Sequence, residues 1–168
     1  NVLVIGADGF IGKNLVTYLN EVGMKITTYT RSNSLKDLNE FVNKTDFIFH
    51  LAGENRPKDD GDFKITNVNL TKSICSAIKA SRKIIPVIFT SSTQAESNNP
   101  YGKSKLEAEN ILKKLKKDIN IPLYIYRLPG VFGKWCKPNY NSVVATFCYN
   151  ISHNIPIQVD SPSTKIIL

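Results

Sequence analysis

Tyr101 and Lys105 stand four residues apart in Pro100-Tyr101-Gly102-Lys103-Ser104-Lys105. Helical spacing puts both side chains on one face, about 5–6 Å apart. A phenol titrates near pH ~10 and is a poor acid at neutrality, but an ammonium beside it stabilises the phenolate. The pair could then pass a proton to or from a substrate oxygen. Seven tyrosines and 18 lysines in 168 residues give about 0.75 such pairs by chance, so the pair needs support from its surroundings. Ser91-Ser92 closes the apolar run Ile85-Pro86-Val87-Ile88-Phe89-Thr90. A hydroxyl there can polarise the oxygen that Tyr101 protonates. A second constellation opens the chain, where Val2-Leu3-Val4-Ile5 leads into Gly6-Ala7-Asp8-Gly9-Phe10-Ile11-Gly12. Glycines at this spacing allow a sharp turn and close approach of a ligand to the backbone. The helix that follows aims its free N–H groups and positive dipole end at that ligand, which favours a pyrophosphate.

Positioning these residues requires elements that alternate. Apolar runs predict strands near 2–5, 25–30, 46–51, 85–91 and 122–127. Helical spacing predicts helices near 11–21, 35–43, 64–81, 101–118 and 141–153. Such alternation implies an α/β fold, a doubly wound parallel sheet with its ligand at the carboxyl ends of the strands. Those ends are Gly6, Arg31, Ala52-Gly53, Ser91-Ser92 and Arg127. Only Ser32 to Thr45 separate the second strand from the third, room for one helix and no further strand. An NAD site usually places a carboxylate about 20 residues past the glycines, on the ribose 2′-OH. Here the second strand runs into Arg31, whose guanidinium suits a 2′-phosphate, so the cofactor expected is NADPH.

Composition narrows the remaining choices. With 42% apolar residues, a chain of this length should bury roughly 70% of its surface. No apolar stretch approaches the ~20 residues a membrane helix needs, and no signal peptide precedes the first strand. Cys75, Cys136 and Cys148 lack metal-ligand spacing and do not pair off evenly, as expected in a reducing cytoplasm. The net charge of +8 suits a ligand with several phosphates as well as it suits nucleic acid. Lys113, Lys114, Lys116 and Lys117 fall near a helix end, where they complement its dipole. Asn1 lies already inside a strand, and Lys165-Ile166-Ile167-Leu168 reads as another, so the chain is taken to be a fragment.

Gly6-x-x-Gly9-x-x-Gly12, His50-Leu51-Ala52-Gly53, Asn67-Val68, Ser91-Ser92 and Tyr101-x-x-x-Lys105 together resemble the extended short-chain dehydrogenase/reductase family of sugar-nucleotide epimerases, dehydratases and reductases. Ala52-Gly53-Glu54-Asn55-Arg56-Pro57, Tyr124-Ile125-Tyr126-Arg127 and Phe132 to Ser142 resemble, more narrowly, the reductase domain of bifunctional capsular polysaccharide enzymes that supply the precursor of UDP-N-acetyl-L-fucosamine. The resemblance implies a Rossmann fold over 1–168, with residues 129–168 beginning a substrate lobe that lies mostly beyond the chain. It implies NADP(H) bound by Gly6, Asp8, Gly9, Phe10, Ile11, Gly12, Arg31, Leu51, Ala52, Gly53, Asn67, Ser91, Tyr101, Lys105 and Leu128. Ser92, Tyr101 and Lys105 would be catalytic, with Ser92 favoured over Ser91 by the family pattern. Asn55, Arg56, Lys137, Asn139, Tyr140 and Asn141 would hold a UDP-sugar, and no metal is expected. A homodimer without nucleic acid or membrane partners is the expected assembly. One departure is Gly130, where the family usually has asparagine. Trp135 reads equally as a loop aromatic packed under the sheet and as a nucleotide contact.

The activity implied is NADPH-dependent reduction of the C4 ketone of a UDP-2-acetamido-2,6-dideoxy-hexos-4-ulose. Two other classes compete with it: a sugar-nucleotide 4,6-dehydratase or epimerase, and a non-catalytic binding protein. A 4,6-dehydratase needs an acid/base pair beside the catalytic hydroxyl, whereas Ser92 is followed by Thr93 and Gln94, which titrate nowhere near neutrality. An epimerase uses the same hydride and proton machinery and retains NAD through its cycle. A non-catalytic dinucleotide or RNA-binding protein would have no need of the complete Ser–Tyr–Lys set.

Overall fold

The computed structural model describes residues 1–57, 59, 61–140 and 142–159. The strands are β1 (Val2–Ile5), β2 (Ile26–Tyr29), β3 (Phe47–His50), β4 (Val87–Ser92) and β5 (Leu123–Leu128). The helices are α1 (Phe10–Glu21), α2 (Leu35–Asn43), α3 (Gly61–Phe63), α4 (Leu70–Ser81), α5 (Pro100–Ile119) and α6 (Val143–Ser152). The five strands expected between residues 2 and 127 and the five expected helices are found, with boundaries shifted by a few residues.

All five strands form one sheet in the order β2-β1-β3-β4-β5. The β1–β2, β1–β3 and β3–β4 pairs are parallel, with Ile5 opposite both Tyr29 and His50. From β1 the chain moves outward to β2, then back across β1 to β3. Crossovers of one hand running in opposite directions put α1 and α2 on opposite faces of the sheet. Leu15, Val16 and Leu19 of α1 pack with Val2 and Val4 on one face of β1. Leu3 and Ile5 point to the other face, into a core shared with Leu38 and Val42 of α2, Ile74 and Ile78 of α4, and Leu112 and Leu115 of α5. β1 is therefore buried at every position, which accounts for its unbroken apolar run. The short stretch after Arg31 holds α2 alone, capped by a reciprocal Ser34–Asp37 box.

The helix expected over 64–81 is not uniform. It starts with the single turn α3, widens into a π-helical turn over Lys64–Asn69, and becomes regular only at α4. Such widened turns frequently mark functional sites, and this one carries the buried side chain of Asn67.

α5 starts where Asn99 accepts a hydrogen bond from the Gly102 N–H at 2.7 Å, with Pro100 in its first turn. Its inward face presents Ser104, Lys105, Ala108, Glu109, Leu112 and Leu115. Lys113, Lys114, Lys116 and Lys117 all lie on the exposed side. Gly102 is required there: a Cβ would stand 2.1 Å from the Gln94 carbonyl oxygen in the 3₁₀ turn Thr93–Glu96.

The chain divides into two compact units, Asn1–Arg127 and a second that begins at Leu128. In the second, Ser142 caps α6 by accepting from the Ala145 N–H at 3.3 Å, and α6 has no buried residue. The expected terminal strand at 165–168 and the candidate Asn141 lie outside the described residues.

Candidate active site

The glycine turn is built by close backbone packing. Gly6 has φ +89°, and a Cβ on it would lie 2.6 Å from the Ala52 nitrogen, just past β3. A Cβ on Gly12 would lie 2.2 Å from the Gly6 carbonyl oxygen, so α1 can start only with glycine at that position. Gly9 occupies the N-cap without a capping side chain, and no acidic residue sits in the first turn. The N–H groups and positive dipole end of α1 are thus available to an anion. Asp8 and Gly9 are exposed, while Phe10 and Ile11 are half-buried at the start of the helix.

Past β3, Leu51 and Ala52 are half-buried and Gly53 is exposed. A Cβ on Gly53 would come within 3.4 Å of both the Asn67 Oδ1 and the Lys105 Nζ. The missing side chain keeps that space open. Asn67 accepts from the Glu54 N–H at 2.8 Å and donates to the Ser104 hydroxyl at 2.9 Å. It thereby ties the loop after β3 to α5. His50, at the end of β3, shares a 2.8 Å hydrogen bond between Nε2 and the Thr71 hydroxyl. Its buried Nδ1 has no hydrogen-bond partner among the described residues. Burial, helped by the charge of Lys105, lowers its pKa to about 3, so the ring is neutral.

Ser92, Tyr101 and Lys105 converge at the carboxyl end of β4. The Ser92 hydroxyl lies close enough to the Tyr101 phenol to lower its pKa and accepts from the Gln94 N–H at 3.1 Å. Lys105 is 4% exposed, donates to the Thr90 carbonyl at 2.7 Å and lies 4.6 Å from the centroid of the Phe89 ring. The expected effect of the lysine on the phenol differs from what is found. Burial raises the Tyr101 pKa, and the countering influence is the Ser92 hydrogen bond. Burial also pulls the Lys105 ammonium down to about 8, against the opposing charge of Glu109. The lysine points to the strand end and Gly53, and its charge is spent there.

Ser91, by contrast, faces inward. Its hydroxyl donates to Glu109 Oε1 at 2.6 Å. Arg127 grips the same carboxylate through Nε at 2.8 Å and a terminal nitrogen at 2.9 Å, and Lys113 donates at 3.1 Å. Burial pushes the Glu109 pKa up, but hydrogen bonds from Arg127, Ser91 and Lys113 outweigh it and hold the carboxyl at about 2. The cluster fastens α5 to the ends of β4 and β5. The sequence alone did not show it, although a carboxylate eight residues past Tyr101, on the helix face that also carries Ala108, Leu112 and Leu115, was a usable signal.

The other candidates lie in two places. Arg31 follows β2 with its side chain 84% exposed and pairs with Glu54 at 2.7 Å. Asn55 and Arg56 are exposed beside Glu54. Leu128, Lys137, Asn139 and Tyr140 belong to the second unit, where the last three are exposed. Trp135 is 42% exposed with the Lys134 ammonium 4.6 Å from its ring centroid, so it is no core aromatic. That unit also holds an apolar pocket of about 380 Å³ lined by Phe132, Cys136, Cys148 and Tyr149.

Fold and site together define a doubly wound α/β protein with a glycine turn after β1 and a Ser–Tyr–Lys set at the end of β4, on the same edge of the sheet with β3 between them. Comparison with known proteins makes the class specific. The sequence model of the NAD dependent epimerase/dehydratase family matches residues 2–164, and the chain belongs to that family. UDP-2-acetamido-2,6-beta-L-arabino-hexul-4-ose reductase of Pseudomonas aeruginosa is 51% identical over 168 residues, which cover 99% of this chain and 45% of the relative. The crystal structure of the capsular polysaccharide assembling protein CapF from Staphylococcus aureus superposes with a TM-score of 0.85 at 42% identity, over 98% of this chain and 45% of that one. UDP-glucuronic acid 4-epimerase from Bacillus cereus, in complex with NAD, superposes at 0.80 with 20% identity over 92% of this chain and 64% of that one. At that identity it shows the fold alone. The chain spans about half the length of the first two relatives.

Proposed function

We propose that the protein is an oxidoreductase, an NADPH-dependent reductase of the C4 ketone of a UDP-2-acetamido-2,6-dideoxy-hexos-4-ulose, serving surface polysaccharide synthesis in the cytoplasm. The observation that carries this reading is the convergence of Ser92, Tyr101 and the buried Lys105 at the carboxyl end of β4, with only β3 between it and the strand that leads into the glycine turn. The name of the 51% identical relative, a hexul-4-ose reductase, supports the substrate class.

The residues present fit a dinucleotide. The uncapped start of α1 offers N–H groups to a pyrophosphate, and the space kept open by Gly53 lies next to a cation and an amide. When bound, the reduced nicotinamide supplies hydride to the ketone carbon. Ser92 then holds the ketone oxygen through its hydroxyl, while Tyr101 gives that oxygen a proton as negative charge develops on it. Burial that raises the phenol's pKa keeps Tyr101 protonated at neutral pH, the form an acid must have. Lys105 would turn from the Thr90 carbonyl toward the ribose hydroxyls and the phenolate that remains. Arg31 would take the 2′-phosphate of the cofactor. Asn55, Arg56, Lys137, Asn139, Tyr140 and Asn141 would hold the UDP-sugar, with the substrate-binding part beginning at about residue 129. A homodimer that binds neither nucleic acid nor membrane completes the proposal.

The test is direct. The full-length protein is mixed with NADPH and a UDP-2-acetamido-2,6-dideoxy-4-keto-hexose, and the nicotinamide absorbance is followed. Stoichiometric oxidation of NADPH with formation of a 4-hydroxy sugar is expected. No oxidation with any 4-keto epimer refutes the proposal.

A further inference from the structure

The ion pair between Arg31 and Glu54 joins two strands that are not neighbours. β1 lies between β2 and β3, and Ile5 is level with both Tyr29 and His50. Arg31 stands two residues past Tyr29 and Glu54 four past His50, yet their charged atoms are 2.7 Å apart. The side chains therefore bridge two strand spacings, about 10 Å, across the end of β1 where the glycine turn starts. A dinucleotide with its pyrophosphate on that turn and its adenosine ribose near β2 must cross the same line.

The two partners are unequal. Glu54 is anchored, with its N–H donating to Asn67 Oδ1 at 2.8 Å and its carbonyl accepting from Asn67 Nδ2 at 3.2 Å. Its Oε1 accepts from the Asn55 and Arg56 N–H groups at 3.1 and 3.3 Å, and its side chain is only 16% exposed. The Arg31 side chain is 84% exposed. One partner is anchored to the loop after β3 and the other reaches it through solvent.

We infer that the Arg31–Glu54 pair is a clasp over the cofactor groove, with Glu54 the residue that sets how tightly either nicotinamide cofactor binds. The inference rests on the proposed role of Arg31 toward a 2′-phosphate. The clasp must open before any dinucleotide enters. NADPH offers Arg31 a new anion in exchange for Glu54, whereas NADH leaves the guanidinium without one. A mostly exposed ion pair lowers both affinities by only about two- to fivefold. Removing the clasp should return that factor to both cofactors.

The measurements are dissociation constants of NADPH and NADH, by fluorescence titration of the full-length wild-type protein, Arg31→Ala, Glu54→Gln and the double variant. Melting temperatures confirm that each folds. The decisive reading is NADH with Arg31→Ala. Loss of a cation near a pyrophosphate weakens NADH by simple Coulomb attraction, whereas opening a clasp tightens it. The expected result is NADH binding about two- to fivefold tighter in Arg31→Ala, in Glu54→Gln and in the double variant alike, because either change alone opens the pair. NADPH should bind tighter to Glu54→Gln and at least tenfold weaker to Arg31→Ala. NADH affinity that is unchanged or weaker in Arg31→Ala overturns the clasp. An unchanged NADPH-to-NADH ratio in Arg31→Ala overturns the 2′-phosphate assignment instead, so the two failures are told apart.

Discussion

At the scale of single residues, Tyr101 has two neighbours that act on it differently. Ser92 lowers the pKa of the phenol, while Lys105 is turned to the Thr90 carbonyl. The proton to be delivered therefore belongs to a phenol whose pKa burial has raised, with the Ser92 hydroxyl opposing that rise. Tyr101→Phe removes the proton without altering the glycine turn or α1. Turnover in the full-length protein should fall by about 10²–10⁴-fold, with NADPH affinity within a factor of about two. Steady-state kinetics beside a cofactor titration check this, and a variant with wild-type turnover would remove Tyr101 as the acid.

At the scale of elements, the site depends on how α5 is seated. Gly102 lets its first turn press against the 3₁₀ turn that follows Ser92. A methyl group there meets the Gln94 carbonyl, which is backbone and cannot rotate away. Gly102→Ala should therefore lower stability by about 1–3 kcal/mol, in the range of overpacking, and draw Ser92 and Tyr101 apart. Urea denaturation reads the first effect and the pH dependence of turnover the second. If stability were unchanged, the turn and the helix would not be in contact. The Glu109 cluster secures the same helix further along, where Ser91 and Arg127 bind one buried carboxylate from two strand ends.

For the whole molecule, two buried groups contribute strongly to the response to acid. His50 stays neutral in the folded chain down to about pH 3, against an ordinary value of 6.5. As pH falls below 6.5 the unfolded chain takes up a proton that the folded one refuses, so the stability fully present above 6.5 declines toward 3. Glu109 follows in a lower window. Its folded value of about 2 lies below the ordinary 4.5, so its contribution is complete above 4.5 and fades toward 2. The urea midpoint should accordingly decline on acidification from neutrality, before the carboxylates titrate. A midpoint that stays level between pH 7 and 5 would show that His50 is not held neutral in the fold.

Much of this architecture was legible in the sequence because it follows from local rules. β1 had to be an unbroken apolar run because both its faces are covered, and Gly6 and Gly12 had to lack a Cβ where two backbones touch. Helical spacing alone placed Tyr101 and Lys105 on one face of α5. Local spacing cannot report where a side chain turns once its neighbours are in place. Lys105 reaching for the Thr90 carbonyl, the π-helical turn around Asn67, and Ser91 facing Glu109 instead of the groove all arise from residues distant in sequence. The clearest case is Arg31, which the sequence presented as a lone cation at a strand end. Only the order β2-β1-β3 brought Glu54 to it across the intervening strand, because which charges meet is decided by how the strands are laid side by side.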